Sequence, residues 1–244
     1  MTQGRGVAGY LRLTLPVFTL GFLLTSCDDD TPTDANPPTT TTTAPPSTSS
    51  AFLRGAPLTF DAKTVDVVVS GAGGDETIAG ISYAGVSNYL DLDPGDYRVQ
   101  FFPVGSRRAA MAETSVTLTA DEAVTVALVG LSTIDITVFE DVRAQSSGSA
   151  AVAMTNAIPD FPTPLDAVIV NGPTLVENVG YLETSDATTV VPGRYDIQIR
   201  RAGTDEPVAT STGHELSAGA TYTIFAAGSL TRNDMRIVIG SDMP

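Results

Sequence analysis

The chain has 244 residues, of which 42% are hydrophobic, 17% are charged and 7% are aromatic, and its formal net charge is −15. This length suffices for one or two globular domains, whereas the acidic excess argues against nucleic acid or anionic lipid surfaces as partners, because both need clustered Lys and Arg. The single cysteine, Cys27, excludes an intrachain disulfide, and together with a single histidine it excludes a Cys/His zinc site.

The first residues carry the features of an export signal. Arg5 and Arg12 form a cationic start, and residues 13–24 form an apolar stretch that is shorter than the roughly 20 residues of a membrane-spanning helix. The sequence LTSC that ends at Cys27 resembles the lipobox of bacterial lipoproteins. The resemblance implies that residues 1–27 hold a lipoprotein signal peptide and that Cys27 receives a lipid and anchors the protein to a membrane. The alternative is an ordinary secretion signal with an incidental cysteine.

Residues 28–50 are predicted to be a disordered linker. After the triplet Asp28–Asp30, which we interpret as a solvated charge run, the segment consists almost entirely of Thr, Pro, Ala and Ser. Such a composition cannot bury enough apolar surface to offset its conformational entropy. At about 3.1 Å per residue in a polyproline II conformation, the linker would hold the following part of the chain up to roughly 70 Å from the lipid.

The remainder of the chain repeats itself. The segment LDPGDYRV, which contains Pro94, matches VVPGRYDI, which contains Pro192, and TADEAVTV matches SAGATYTI further along. Pro94 and Pro192 are 98 residues apart, as are Ala120 and Ala218. A period of this size is the length of a domain rather than of a solenoid repeat. We therefore predict two tandem domains, at residues 51–145 and 146–244.

Each copy is predicted to consist of short strands. Apolar and polar residues alternate after Tyr97 and after Tyr195, which is the period of a half-buried strand. Further strands are expected near 65–70, 88–92, 114–119, 123–130, 134–140, 150–156, 166–171, 188–191, 206–212, 221–227 and 235–240. Pro-Gly before each tyrosine fits a type II turn. About seven short strands per copy favour an all-β fold of two antiparallel β-sandwich domains, immunoglobulin-like or transthyretin-like.

Four sequence elements of the second copy resemble a known family of bacterial envelope domains, domain-of-unknown-function family 4397. They are VAMTNAIPD (152–160), LDAV (165–168), VPGRY (191–195) and LSAGATYT (216–223). The resemblance covers most of residues 150–242 and is weaker over 55–141, where FDAK (60–63) stands in place of the Asn-Ala-x-Pro-Asp element. It implies secreted or lipid-anchored β-domains, often in tandem, and supplies no catalytic residues.

The residue types that carry chemistry are scarce. His214 lies in an ordinary strand position, since its counterpart at the repeat offset is Val116, and we interpret it as structural. Asp91, Asp93 and Asp96 hint at a calcium-like cluster, but the matching positions of the second copy are not acidic. We therefore predict no catalytic residue, no metal site and no cofactor.

The other noticeable motifs also have structural interpretations. The glycine-rich segment 71–74 and its counterpart 171–173 are predicted to be hairpin connections rather than phosphate loops. The arginine pairs at 107–108 and 200–201 are interpreted as solvated edge protection. Tyr97 and Tyr195 are expected to pack inward with their hydroxyl groups bonded near the turn, as in a tyrosine corner.

These observations predict a non-enzymatic, lipid-anchored protein of the bacterial cell envelope, on the periplasmic or surface face, that acts as a binding or structural module. Its partner would be an envelope protein or a glycan. The alternative function is glycan or cell-wall binding through loops at the sandwich ends, although the chain contains no Trp. A hydrolase that uses a pair of carboxylates is the third hypothesis, and it requires two such groups about 5–9.5 Å apart in a cleft.

Overall fold

The computed structural model describes residues 49–143 and 147–242. The predicted signal peptide, Cys27 and residues 28–48 of the predicted linker lie outside the described residues. The described chain consists of β-strands and connecting segments, with one short 3-10 turn at Phe60–Ala62 and no α-helix. The predicted all-β fold is therefore confirmed.

The first sandwich contains two four-stranded sheets. Its strands are β1 (Ala51–Pro57), β2 (Thr64–Gly71), β3 (Gly74–Ser82), β4 (Leu90–Leu92), β5 (Gly95–Pro103), β6 (Ala112–Leu118), β7 (Ala123–Val129) and β8 (Asp135–Glu140). One sheet has the order β4-β1-β7-β8 and the other the order β3-β2-β5-β6. Their facing side chains, Phe101 and Leu53 among them, form one apolar core, as expected when each strand buries every second residue.

The second sandwich repeats this arrangement strand by strand. Its strands are β9 (Ala150–Asn156), β10 (Leu165–Ile169), β11 (Thr174–Val179), β12 (Thr188–Val190), β13 (Gly193–Arg201), β14 (Pro207–Leu216), β15 (Thr221–Ser229) and β16 (Asp234–Asp242). The sheet orders are β12-β9-β15-β16 and β11-β10-β13-β14. Its own core contains Met154 and Ile197. Each strand of the first sandwich thus has a counterpart eight strands later.

The strand registers support the offset of 98 residues. Tyr97 of β5 lies opposite Val116 of β6, and Tyr195 of β13 lies opposite His214 of β14. The tyrosines and their partners are each 98 residues apart. His214 therefore occupies the strand position that the repeat predicts.

One pair of strands in each sandwich is parallel, which the sequence did not indicate. β1 pairs with β7 in parallel, and β9 pairs with β15 in the same way. The partners are separated by five intervening strands, so the chain has room for the long crossover that a parallel pair requires. All other strand pairs of the described sheets are antiparallel.

The predicted type II turns at Pro-Gly are wrong. Gly95 and Gly193 do not have the positive φ that such a turn requires, and each begins a strand. The neighbouring tyrosines behave as predicted, because the hydroxyl of Tyr97 donates to the carbonyl oxygen of Asp93 at 2.6 Å and that of Tyr195 donates to Val191 at 2.7 Å. A Cβ built on Gly193 would lie 3.3 Å from the hydroxyl oxygen of Tyr195 and 3.4 Å from its ring, so a larger residue at this position would crowd the tyrosine.

A third apolar cluster lies between the two sandwiches. It joins residues of β1, β7 and β8 to residues of β9, β15 and β16 or their ends: Ala56, Leu58, Ala127, Val129, Phe139, Ala157, Phe225, Ala227 and Val238. Every residue of β1, β7, β9 and β15 is buried as a result. These strands cover their own core with one face and the other sandwich with the opposite face.

Candidate functional site

A buried charged cluster occupies the contact between the two sandwiches. Alternation along β1 directs Leu53 into the core of the first sandwich and Arg54 toward the second. The Arg54 side chain is fully buried, and those of Asp141 and Asp242 are 2% and 1% exposed. A buried charge is tolerated only when it is paired and hydrogen-bonded, and Arg54 is both.

The guanidinium of Arg54 contacts both sandwiches. Its Nε donates to the Thr125 hydroxyl at 2.7 Å, and its Nη2 donates to Asp141 at 3.1 Å and to Asp242 at 2.5 Å. On the second sandwich, the Thr223 hydroxyl donates to the other oxygen of Asp242 at 2.7 Å. We call Arg54, Thr125, Asp141, Thr223, Asp242 and Tyr89 the Arg54 cluster.

Tyr89 closes the Arg54 cluster from one side. Its ring lies 4.5 Å from the guanidinium carbon of Arg54, and its hydroxyl donates to Asp141 at 2.6 Å. Burial, followed by the charge of Asp141, raises the pKa of the Tyr89 hydroxyl. The phenol therefore stays protonated and acts as a donor. Phe225 of the second sandwich packs its ring 5.5 Å from the same guanidinium carbon.

The Arg54 cluster holds one cation and two carboxylates. Burial is the main cause that raises the pKa of Asp242, to about 6; the charge of Asp141 adds to the increase, while Arg54 opposes it. The pKa of Arg54 is also raised, because attraction to both carboxylates outweighs the effect of its burial. The buried guanidinium and carboxylates can hold the two sandwiches together, but their charged side chains are not accessible to a substrate.

A second contact between the sandwiches is exposed. Arg232 forms two hydrogen bonds with the carboxylate of Asp61, at 2.8 and 3.0 Å, and lies over the ring of Phe60. Phe60 in turn meets Tyr83 edge to face, at 5.6 Å between ring centroids. Phe60 and Asp61 belong to the FDAK segment, where the first copy departs from the family pattern. The departure supplies a contact with the second sandwich.

The Asn-Ala-x-Pro-Asp element of the second sandwich has a structural role. Asn156 donates from Nδ2 to the carbonyl of Val179 and accepts from the amide of Ile158, both at 3.1 Å. Asp160 accepts hydrogen bonds from the β15–β16 connection, including two from Thr231 at 2.7 and 2.9 Å. Burial alone would raise the pKa of Asp160, but these bonds outweigh it and lower the pKa to about 2.

The residues that were considered for chemistry lie on different sandwiches, His214 on β14 and the three aspartates 91, 93 and 96 on or beside β4 and β5. His214 contacts Ser211 at 2.7 Å, and burial lowers the pKa of its imidazole. Asp91, Asp93 and Asp96 line a cavity of about 350 Å³ at one end of the first sandwich, where Asp96 accepts from Thr117 at 2.6 Å. Within residues 49–143 and 147–242, no group of three or more His, Cys, Asp or Glu side chains is arranged to hold a metal ion.

The interpretation of the arginine pairs as edge protection is wrong, because Arg200 and Arg201 end β13 and Arg107 follows β5, and both strands are interior in their sheets. Arg200 pairs with Asp205 at 2.7 Å and Arg201 with Glu206 at 2.9 Å, across the β13–β14 hairpin. Arg107 lies over the ring of Phe102, 5.2 Å from its centroid. The glycine-rich segment 71–74 and residues 170–173 form the β2–β3 and β10–β11 connections, so the predicted hairpins are confirmed.

Each sandwich carries an open groove at the same place. The first groove, of about 580 Å³, lies between β3 and residues 85–90; the second, of about 450 Å³, lies between β11 and residues 183–188. Ser87 accepts from the amide of Gly55 at 3.0 Å, and Ser185 accepts from Met154 at 3.0 Å. These serines hold equivalent segments across the open side of each sandwich.

Sequence reasoning missed the Arg54 cluster. The available signal was the segment AFLRGAP (51–57), where one arginine interrupts an apolar run. Without knowledge that a second sheet covers this strand, the arginine cannot be distinguished from an exposed one. None of the described residues forms an apolar helix of membrane-spanning length.

Comparisons with known proteins identify a family. The family model described as Domain of unknown function (DUF4397) matches residues 51–167 and again 150–243. No curated protein matches the chain.

Three solved structures show weak similarity. The Bacillus anthracis TIE protein is 14% identical with a TM-score of 0.26, over 73% of this chain and 34% of that one. A carbohydrate-binding module of family CBM26 from Eubacterium rectale, solved with maltoheptaose, is 9% identical with a TM-score of 0.26, over 80% of this chain and 98% of that one. A leucine-rich repeat protein from Bacteroides thetaiotaomicron is 12% identical with a TM-score of 0.23, over 74% of this chain and 26% of that one.

Proposed function

This chain belongs to the family described as Domain of unknown function (DUF4397), and we propose that it is a non-enzymatic binding module of the bacterial cell envelope, anchored by a lipid on Cys27. The observation that carries the binding role is the repeated groove, one in each sandwich, at positions related by the duplication. A feature preserved in both copies of a duplicated domain is a better candidate for a shared role than one present in a single copy.

The distribution of carboxylates supports a non-enzymatic role. Asp141 and Asp242 meet on one guanidinium, but their side chains are almost completely buried between the sandwiches. A hydrolytic pair needs access to the substrate and to water. The acids at the end of the first sandwich have no counterpart in the second, since Thr189, Val191 and Arg194 stand at the matching positions.

The two grooves differ in charge. The second is lined by Glu177, Glu183 and Asp186, whereas no charged residue lines the first. Asn88 and Asp186 are exposed and stand at equivalent positions, 98 residues apart. The proposed partner is an envelope protein; a glycan is the alternative outcome of the binding experiment.

The binding role is tested by blocking both grooves. The full-length protein is immobilised and exposed to solubilised envelope proteins and, separately, to an array of envelope glycans. We expect a retained component that is lost in the Asn88→Trp/Asp186→Trp variant. Ser115→Trp, on the exposed part of β6, is the matched control and should leave retention unchanged. Absence of any retained component, or equal retention by all three proteins, would contradict the proposal.

The lipid anchor is tested by replacing Cys27. Two or three acyl chains, each burying methylenes at about 0.8 kcal/mol, hold a protein durably at a membrane. The unchanged protein should therefore sediment with membranes and incorporate an alkyne-tagged fatty acid. Cys27→Ser should remove the label and release the protein into the soluble fraction. A Cys27→Ser variant that stays in the membrane pellet would contradict the anchor without bearing on the grooves.

A further inference from the structure

The two sandwiches meet through equivalent strand positions. Arg54 lies opposite Thr125 in the parallel pair β1–β7, and Ala153 lies opposite Thr223 in the parallel pair β9–β15. Thr125 and Thr223 are related by the offset of 98 residues. Ala153, which is fully buried, therefore occupies on the second sandwich the place that Arg54 occupies on the first.

The two carboxylates of the Arg54 cluster are also equivalent. The amide of Asp141 donates to the carbonyl of Ala123 at 2.9 Å, directly after β8, and Asp242 lies opposite Thr221 at the end of β16. Ala123 and Thr221 are again 98 residues apart. Each sandwich thus contributes one threonine and one aspartate from matching places.

The surrounding apolar contacts follow the same rule. Ala127 and Phe225 are 98 residues apart, as are Val129 and Ala227, and all four belong to the cluster between the sandwiches. Tyr83 and Tyr181 are also 98 residues apart, and a charged residue of the other sandwich acts on each of them. The ring of Tyr83 lies 5.5 Å from the guanidinium carbon of Arg236, while burial and then the charge of Asp135 raise the pKa of Tyr181.

Equivalent residues on both sides of one contact indicate two-fold symmetry, because in such an interface each patch meets its own copy. We propose that the contact between the sandwiches is isologous, so that each of the two sheet faces recognises a second copy of this same sandwich unit, with Arg54 as the one charged residue of the Arg54 cluster that has no charged counterpart. This inference goes beyond the proposed function and is independent of the grooves and of Cys27.

The proposal is tested in the full chain by moving the arginine from position 54 of the first sandwich to the equivalent position 153 of the second. Arg54→Ala should lower the melting temperature. The exchange variant Arg54→Ala/Ala153→Arg should recover at least half of that decrease, because an arginine at 153 would face Thr223, Asp242 and Asp141. Recovery should be incomplete, since the counterparts of Tyr89 and Phe225 are Ala187 and Ala127, which provide no ring for the guanidinium.

The matched control for the charge exchange is Arg54→Ala/Ala153→Gln, which supplies length without a charge. We expect its melting temperature to be equal to that of Arg54→Ala or lower. Recovery equal to that of the arginine exchange would show that the carboxylates do not recognise a cation at 153 and would overturn the proposal.

An apolar exchange provides a second test that does not depend on charge. Phe225→Ala should lower the melting temperature. Phe225→Ala/Ala127→Phe should recover part of this decrease, because it places the ring at the equivalent position of the first sandwich. In a contact without two-fold symmetry the added ring would overpack the core and lower the melting temperature further. Recovery in the apolar exchange, together with recovery in the arginine exchange above that of the glutamine control, supports the isologous interface; the absence of either recovery overturns it.

Discussion

At the scale of single residues, Arg54 and its two carboxylates carry an unbalanced charge in a dry environment. Removal of a carboxylate from water penalises its ionised form. Asp242 shows this effect most clearly, because its burial raises its pKa to about 6. Asp160 is in the opposite situation, because its hydrogen bonds lower its pKa to about 2. The two groups therefore give stability opposite dependences on pH.

The first prediction concerns Asp242 between pH 7 and pH 5. Its pKa is higher in the folded chain than its ordinary value of 3.8, so the folded state binds more protons in this interval. The free energy of unfolding should therefore rise as the pH falls through 6, by an amount on the order of 1 kcal/mol between pH 7 and pH 5. Asp242→Asn should lose this rise. The measurement is urea denaturation of both proteins at pH 7 and pH 5.

Below pH 4 the free energy of unfolding should instead decrease as the pH falls. Asp160 has a folded pKa below its ordinary value of 3.8, so its contribution to stability is complete above that value and is lost as the pH falls toward 2. Maximum stability is expected at about pH 4 to 5. A stability that falls steadily from pH 7 to pH 5, with the same slope in Asp242→Asn, would contradict this account.

At the scale of strands, the same carboxylate contact appears in both sandwiches. Asp66 of β2 accepts from the amide of Gly80 at 2.8 Å and from Gly105 at 3.0 Å. Asp166 of β10 accepts from Asn178 at 2.7 Å and from Gly203 at 2.9 Å. In each case one oxygen fixes a bulge in the edge strand and the other fixes the turn after the central strand.

The bulges explain why these positions carry particular residues. The pairing of β2 with β3 shifts its register between Val65 and Val67, and β10 with β11 shifts between Leu165 and Ala167. Gly80 and Asn178 in the bulged strands have φ of 71° and 61°, in the left-handed region that Gly and Asn tolerate best. A bulge also disrupts the regular ladder of an edge strand, which disfavours pairing with other chains.

The second prediction is that Asp66→Ala lowers the free energy of unfolding by roughly 2–4 kcal/mol, because two amides lose a buried acceptor. Asp166→Ala should cost a similar amount. Asp75→Ala, on the exposed part of β3, is the control and should change stability by less than about 0.5 kcal/mol. Denaturant titrations provide the comparison. If Asp66→Ala cost no more than the control, the carboxylate would not be fixing the bulge.

The sequence predicted most strands but missed β1, β3 and β11, and each failure has a physical cause. β3 is an edge strand that is exposed along most of its length, so it lacks the apolar alternation that marks a half-buried strand. β1 is buried on both faces, so it shows no alternation at all. β11 is short and bulged after Val176, which interrupts its pattern.

At the scale of the whole molecule, the described chain holds three apolar clusters, one in each sandwich and one shared between them. The shared cluster includes Phe225, which packs against the guanidinium of Arg54, so separation of the sandwiches would expose apolar surface and buried charges together. Both changes are unfavourable. The sandwiches should therefore unfold as one cooperative unit.

The third prediction tests this cooperativity by calorimetry. The unchanged protein should show one unfolding transition over the described region. Arg54→Ala leaves two carboxylates buried without their cation, a change that typically costs about 3–5 kcal/mol, and should lower the temperature of this single transition. Asp61→Ala removes an exposed pair with Arg232 and should shift the transition little, since exposed pairs contribute about 0–1 kcal/mol. Two transitions in the unchanged protein would contradict a shared core.

The sequence by itself determined the all-β class, the duplication at 98 residues and the local role of Tyr97 and Tyr195, because each depends on residues close together in the chain or on a repeated pattern. The predicted domain boundary at 145/146 and the role of Cys27 stay predictions. Only the tertiary structure decided that Arg54 meets Asp141 and Asp242, and that β1 and β9 are covered on both faces. Those contacts join positions up to 188 residues apart, and no local pattern records which sheet face will meet another.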